Sequence, residues 1–172
     1  MTDRHNLLIV HCHDLGQYLH CYGKRTVQSP HLDSFAAEGT RFENSFCTAP
    51  QCSPSRASLF TGRYPHNNGM LGLAQRPLGW NLNEDEIHLG QILNKAGYRT
   101  AAIGVVHETN SPPERCGYQE HHRQSRAQGA ADKACELLPE LASGDEPFYL
   151  SVGFVEPHKL PYHNVEGWLP RD

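Results

Sequence analysis

The sequence predicts an α/β fold in which a mostly parallel sheet is flanked by helices. Short apolar runs typical of buried strands alternate along the chain with segments that carry helix caps and helical periodicity, and this alternation is typical of parallel sheets. Of the 172 residues, 38% are apolar and 20% are charged, a composition that disfavours disorder. A chain of this length suits one compact domain.

The first half of the chain opens with a strand. Residues 7–10 are all apolar, which predicts a buried strand that ends in a polar turn at residues 11–16. Residues 29–39 begin with Ser-Pro and end with Gly, which predicts a helix. Apolar and polar residues alternate over residues 41–46, which predicts a short strand.

The second half repeats this pattern. Residues 86–96 carry a helical apolar stripe that we expect in the core, and residues 98–103 predict a strand after it. Residues 105–124 are rich in Pro, His and Arg and are predicted to be irregular. A helix over residues 126–141 and a strand over residues 147–154 follow.

Ionisable residues follow three of the predicted strands. These residues are His11, His13 and Asp14 after the first strand, His107 after the strand that ends at Ile103, and Glu156 and His158 after the last. Because ligands of open α/β sheets bind beyond the carboxyl ends of the strands, we expect a polar site at this edge. Five other histidines are interpreted as surface or turn residues: His5, His20, His31, His66 and His88.

A further predicted helix begins directly after Cys52, with Ser53 as N-cap, Pro54 at its first position and Gly62 beyond its end. A side chain in front of a helix N-terminus faces unpaired N–H groups, which suits an anion or an activated nucleophile. Arg56 lies one turn further on and adds a planar cationic fork for an oxyanion. The alternative is an ordinary buried cysteine near an N-cap, and these residues alone do not decide between the two.

Composition excludes several classes of protein. Fifteen Lys and Arg against 19 Asp and Glu give a net charge of −4, which gives no reason to expect nucleic acid or an anionic membrane as a partner. None of the six cysteines forms Cys-x-x-Cys, which disfavours a zinc ribbon or a thioredoxin-like motif. The apolar run at residues 7–10 is too short for a signal peptide, so the sequence as written predicts a cytoplasmic protein.

Residues 52–63 match the Cys-x-Pro-x-Arg signature of sulfatases together with its usual Leu-x-Thr-Gly-Arg continuation. Further segments agree with that family in order and spacing: residues 6–10, 29–33, 39–42, 93–100 and 156–158. The chain therefore resembles the N-terminal part of a type I, formylglycine-dependent sulfatase of the alkaline-phosphatase-like superfamily. Residues 68–73 look most like the N-sulfoglucosamine sulfohydrolase (heparan N-sulfatase) branch.

The resemblance implies a hydrolase that releases sulfate from a sulfate ester or sulfamate, on a small molecule or a sulfated glycan. Cys52 would be converted to formylglycine by a maturation enzyme, and the hydrated aldehyde would attack the sulfur. Arg56 would stabilise the developing charge. His107 would take part in the proton chemistry of the nucleophile, and His158 would act as a general acid.

The resemblance also implies a divalent metal, which in this family is usually calcium. Asp14 matches the second Asp of the family's Asp-Asp-x-Gly metal turn, and His13 stands where the first Asp is expected. Together with the converted Cys52, these residues are the candidate metal ligands. Calcium prefers oxygen, so an imidazole at position 13 either fits a softer metal such as zinc or does not coordinate.

Two further departures from the family pattern matter. Val105 stands where the family has the Lys of Gly-Lys-x-His, and no later Asp-Asn or Asp-His metal pair occurs before Asp172. Residues 1–172 are therefore expected to form the N-terminal part of a single sulfatase catalytic domain, and to be inactive and poorly folded when expressed alone. The sequence gives no indication of the oligomeric state.

Three other functions stay open on the sequence. A phosphonate monoester or phosphodiester hydrolase of the same superfamily shares the Cys-x-Pro-x-Arg signature. A non-catalytic anion-binding relic would explain His13 and Val105. A thiol enzyme would use Cys52 unmodified.

Overall fold

The predicted sheet is present, and it is parallel throughout the described part of the chain. The computed structural model describes residues 4–75 and 77–158. Four strands lie in the order β1-β4-β2-β3: β1 (Leu7–His11), β2 (Arg99–Gly104), β3 (Glu120–His122) and β4 (Phe148–Gly153). The helices are α1 (Pro30–Glu38), α2 (Cys52–Thr61), α3 (Pro65–Asn68), α4 (Leu89–Lys95) and α5 (Ala127–Ala142). Single 3-10 turns occur at His20–Tyr22 and Pro113–Cys116.

The hydrophobic core lies on both faces of β2 and β4. Every residue of β4 is buried, which is typical of a central strand in a parallel sheet. On one face, Ile103 and Leu150 belong to a cluster with Leu137 of α5. On the other face, Tyr149 belongs to a cluster with Leu93 of α4. Helices therefore cover two faces of the sheet, as the fold class requires.

The strand predicted over residues 41–46 does not form. These residues pair with none of the four described strands, and Phe42 and Phe46 are 68% and 87% exposed. The Tyr22 hydroxyl donates to the Phe42 carbonyl oxygen over 3.1 Å and helps to hold the segment. A strand needs a neighbour for its backbone N–H and C=O groups, and alternation in the sequence does not provide one.

Helix α2 begins two residues earlier than predicted. Its cap is Gln51 and its first residue is Cys52, so Ser53 is not the N-cap and Pro54 is not the first helical residue. Ser53 is instead fully buried, and its hydroxyl accepts the N–H of Ala74 over 3.1 Å. The helix ends as predicted, with Gly62 in the left-handed conformation. Cys52 therefore lies in the first turn of the helix and not in front of it.

Helix α4 is shorter than predicted because His88 caps its N-terminus at Leu89. Only part of the apolar stripe over residues 86–96 lies in the hydrophobic core. Leu89 and Leu93 pack against the sheet, whereas Ile87 and Ile92 are each 53% exposed. The helical period was correct, but half of the stripe faces away from the sheet.

The segment predicted to be irregular contains β3. This strand has only three residues and pairs with β2, with Glu120 opposite Ala101. The Arg99 side chain forms an ion pair with Glu120 across the two strands at 2.9 Å. A run this short has no recognisable period, which is why the sequence pattern did not reveal it.

Helix α5 confirms its prediction and covers the sheet with one face. Ala130, Leu137 and Leu141 are its buried residues. The rest of the helix is more polar and more exposed. Within residues 4–75 and 77–158, no helix combines the length and the apolar character that crossing a bilayer requires.

The carboxyl ends of β1, β2 and β4 lie at one edge of the sheet and approach each other closely. Gly104 pairs with Gly153, and a Cβ at Gly104 would collide with the Gly153 carbonyl oxygen. Gly104 also has a φ of 80°, which favours glycine. Beyond the strand ends, the Phe154 N–H donates to the His11 carbonyl over 2.9 Å. The segments that follow the strands are thereby drawn together.

We expect Leu150→Ala to lower the free energy of unfolding by about 2–5 kcal/mol, because this fully buried side chain would leave a cavity in the central strand. Leu8 is the register partner of Leu150 on β1 and is 45% exposed, so Leu8→Ala serves as a matched control with a much smaller loss. Urea denaturation of the full-length protein measures both losses. Equal losses would contradict the position of β4 at the centre of the sheet.

Candidate active site

Cys52 lies in the first turn of α2, and its half-buried thiol faces the edge at which the strands end. Its Sγ atom is 3.8 Å from Nδ1 of His107, which follows the end of β2. The first backbone N–H groups of a helix have no partner within the helix and form the positive end of its dipole. The position therefore favours an anionic group bound beside the Cys52 side chain.

Arg56 lies one turn further along α2 and is only 7% exposed. Its Nη1 atom is 2.6 Å from Nδ1 of His11. Because a guanidinium only donates, Nδ1 of His11 must accept, and the proton of the neutral ring lies on Nε2. That nitrogen donates to Oγ of Ser151 over 3.0 Å. These contacts fix Arg56 against β1 and β4.

Three imidazole rings meet beside Cys52. The ring centroid of His13 is 5.6 Å from that of His107 and 5.1 Å from that of His158. His13 is 4% exposed, and neither of its ring nitrogens has a hydrogen-bond partner among the described residues. Asp14 has a φ of 51°, uncommon for a residue with a side chain, and its Oδ2 lies 3.8 Å from Nε2 of His158.

The histidines beside Arg56 are neutral at neutral pH. Burial, and then the charge of Arg56, lowers the pKa of His11 to about 4 and the pKa of His13 to about 3. The same two causes lower the pKa of His107. A neutral imidazole keeps one nitrogen lone pair, which can accept a proton or bind a metal.

A cavity of about 710 Å³ opens beside these side chains. His13, Cys52 and Arg56 line it on one side, and Phe42 and Leu59 contribute apolar surface. Cavities of this size hold small-molecule ligands. The combination of a cation, a helix N-terminus and apolar surface suits a ligand with an anionic group attached to a larger body.

The described residues at this edge do not fit a calcium ion. Calcium takes roughly six to eight oxygen ligands, and Asp14 is the only carboxylate among the three candidate ligands His13, Asp14 and Cys52. Imidazole and sulfur suit softer metals. The one described group whose three ligand atoms lie within 4.8 Å of one another is elsewhere, at His88, Glu108 and Cys116. Calcium at the edge of the sheet therefore stays a prediction.

The structure brings the site residues predicted from the sequence to one place. They are Asp14, His13, Cys52, Arg56, His107 and His158. Val105 contributes no charge where a lysine was expected, and its N–H donates to the Gly153 carbonyl over 3.0 Å. Of the described residues that line the cavity, Arg56 is the only Lys or Arg.

Three neighbours of the site were not assigned a role from the sequence. His11 was noted only as a residue at a strand end. His88 was interpreted as a surface or turn residue, which is wrong because it is 0% exposed. Glu108 is 1% exposed, and no local pattern signals that an acidic residue is buried.

We expect His11 to contribute to acid sensitivity. Its pKa in the folded protein, about 4, is below its ordinary value of 6.5, so the stabilisation is present above pH 6.5 and is lost as the pH falls towards 4. His11→Gln should therefore flatten the loss of unfolding free energy over this range, as measured by urea denaturation in EDTA. His5→Gln, at an exposed position, is the control. An unchanged slope in His11→Gln would contradict a buried neutral ring.

The chain is similar in sequence to known sulfatases. The model of the sulfatase family matches residues 5–166. Human N-sulphoglucosamine sulphohydrolase is 35% identical over 160 residues, which cover 90% of this chain and 32% of that protein. Mouse steryl-sulfatase is 38% identical over 109 residues, which cover 59% of this chain and 18% of that protein. The chain thus spans at most about a third of the length of these relatives.

A solved structure has a similar fold. A protein solved in complex with its substrate D-glucosamine-2-N,6-O-disulfate superimposes with a TM-score of 0.73 at 26% identity. The match covers 91% of this chain and 35% of that chain. The family match extends over nearly the whole chain and includes the helix that carries Cys52 and Arg56. The chain belongs to the sulfatase family.

Proposed function

We propose that the protein of which this chain is part hydrolyses a sulfate ester or sulfamate, with a formylglycine made from Cys52 as the nucleophile. The observation that carries this proposal is the position of the Cys52 side chain, at the N-terminus of α2, beside Arg56 and 3.8 Å from His107. The hydrated aldehyde supplies an oxygen nucleophile for attack on sulfur. A maturation enzyme that oxidises Cys52 is then a required partner.

Arg56 provides the positive charge for the sulfate group. Its guanidinium lines the cavity, and the contact with His11 holds it in one orientation. A fixed, largely buried cation stabilises the negative charge that develops on the sulfate oxygens. The N–H groups of the first turn of α2 add to this charge.

His107 and His158 are proposed to move protons. His107 is neutral, and its Nδ1 atom faces the position of the nucleophile, so it can accept the proton that the nucleophile loses. The ring centroid of His158 is 5.1 Å from that of His13, and Oδ2 of Asp14 is 3.8 Å from its Nε2. A ring at this edge of the sheet, beyond the end of β4, can reach the leaving group as a general acid.

The proposed substrate is a sulfated sugar of the glucosamine type. One relative is an N-sulphoglucosamine sulphohydrolase, and the solved relative binds D-glucosamine-2-N,6-O-disulfate. The cavity volume of about 710 Å³ is compatible with a sugar residue that carries its sulfate. Exposed apolar surface at Phe42 and Leu59 offers a face against which a sugar ring can pack.

The proposal is tested with full-length protein expressed together with a maturation enzyme. Mass spectrometry of the peptide that contains Cys52 is expected to find formylglycine, and the protein is expected to release sulfate from an aryl sulfate. Cys52→Ala should abolish turnover, because no nucleophile remains. Cys47→Ala is the matched control, since Cys47 lines the same cavity and should be dispensable.

The other outcomes identify the competing functions. Faster turnover of an aryl phosphodiester than of the aryl sulfate would favour the phosphodiester hydrolase. Sulfate binding without turnover, with Cys52 converted, would favour the anion-binding relic. Activity that alkylation abolishes, with Cys52 unmodified, would favour a thiol enzyme.

A further inference from the structure

Three fully buried side chains behind the candidate active site have no part in the function proposed above. His88, Glu108 and Cys116 are 0%, 1% and 0% exposed, and one ligand atom of each lies within 4.8 Å of the others. Glu108 directly follows His107, and His88 caps α4. Because acidic side chains are rarely buried without a partner, the contacts of Glu108 indicate what it does.

The contacts of this group disfavour a metal site. Nδ1 of His88 accepts the N–H of Gly90 over 3.0 Å, so the proton of the neutral ring lies on Nε2. That nitrogen faces Oε1 of Glu108 at 3.5 Å, without the geometry of a hydrogen bond, and it has no lone pair left for a metal. Burial raises the pKa of the Cys116 thiol, so a thiolate ligand is disfavoured as well.

The second oxygen of Glu108 holds the backbone of His107. Oε2 accepts the His107 N–H over 2.8 Å. His107 is the residue whose ring lies beside Cys52. One carboxylate therefore connects the cap of α4 with the backbone segment that carries the proposed proton acceptor.

Glu108 also offsets the charge of Arg56. Burial lowers the pKa of Arg56, and the charge of Glu108 is the largest influence that opposes this effect. Burial likewise disfavours the ionised form of Glu108, but attraction to His88 and then to Arg56 outweighs it and lowers the pKa of the carboxyl. The buried anion and the buried cation thus stabilise each other behind Cys52.

We propose that Glu108 is a positioning residue for the reaction. Its carboxylate, oriented by His88, fixes His107 beside the nucleophile and offsets the charge of Arg56. This inference rests on the proposed function, because His107 and Arg56 act on the sulfate there. Glu108 acts through these neighbours and not on the substrate, so its loss lowers kcat and leaves KM nearly unchanged.

Steady-state kinetics of the matured full-length protein with an aryl sulfate tests this role. Glu108→Gln keeps the shape and removes the charge, and it should lower kcat about 10- to 100-fold, the effect of one charge-assisted hydrogen bond. Glu108→Asp restores the charge and should recover most of the lost kcat. Cys116→Ala alters the same buried group without touching Arg56 and should retain wild-type kcat. Wild-type kcat in Glu108→Gln, or an equal loss in Cys116→Ala, would overturn the proposal.

Hydrogen exchange separates this inference from the proposed function, because it needs no catalysis. Glu108→Leu in the unmatured full-length protein removes the acceptor of the His107 N–H at similar size. Peptides over residues 105–109 should then exchange about tenfold faster, while residues 148–153 of β4 remain as protected as before. Faster exchange in a protein that hydrolyses no sulfate ester would disprove the function and leave the positioning of His107 by Glu108 intact. Unchanged exchange at residues 105–109 would disprove that positioning.

Discussion

The hydrogen bond between the Arg56 guanidinium and His11 is the contact on which the candidate active site depends. An isolated buried charge is strongly unfavourable, so Arg56 depends on a neutral imidazole that accepts its hydrogen bond and on the charge of Glu108, which opposes the effect of burial. The contact joins α2 to β1, and the His11 bond to Ser151 extends it to β4. Because Cys52 lies one turn before Arg56, anchoring the helix in this way also holds the Cys52 side chain at the edge of the sheet.

The chemistry of the site follows from this buried cation. Burial, and then the charge of Arg56, lowers the pKa of His13 and of His107, so these rings are neutral and can accept protons at neutral pH. The same charge and the N-terminus of α2 give the cavity a positive potential, which attracts an anionic group. With Val105 in place of a lysine, Arg56 carries this role without a second described cation lining the cavity.

Local patterns in the sequence predicted β1, β2, β4 and α5, because each has a clear apolar period or run and a turn at its end. The strand expected at residues 41–46 does not form, because a strand needs a neighbouring strand to pair with. The alternation of apolar and polar residues does not specify such a neighbour. The site residues were found because they follow strand ends or match a family signature. His88 and Glu108 were not found from the sequence, because the burial of a polar group depends on which elements pack over it. Here these elements are α4 and the segment after β2. Histidines and carboxylates are usually exposed, so the sequence alone wrongly favours exposed positions for both residues.

One buried arginine, held by His11, is proposed to stabilise the sulfate group during its transfer. Turnover of an aryl sulfate by the matured full-length Arg56→Lys variant tests it most directly. Lysine keeps a positive charge but lacks the planar fork that can contact His11 and a sulfate oxygen together. We expect kcat/KM to fall by at least about 100-fold, the usual cost of losing one oriented donor to a developing oxyanion, in a variant that circular dichroism shows to be folded. Wild-type turnover in Arg56→Lys would contradict the claim.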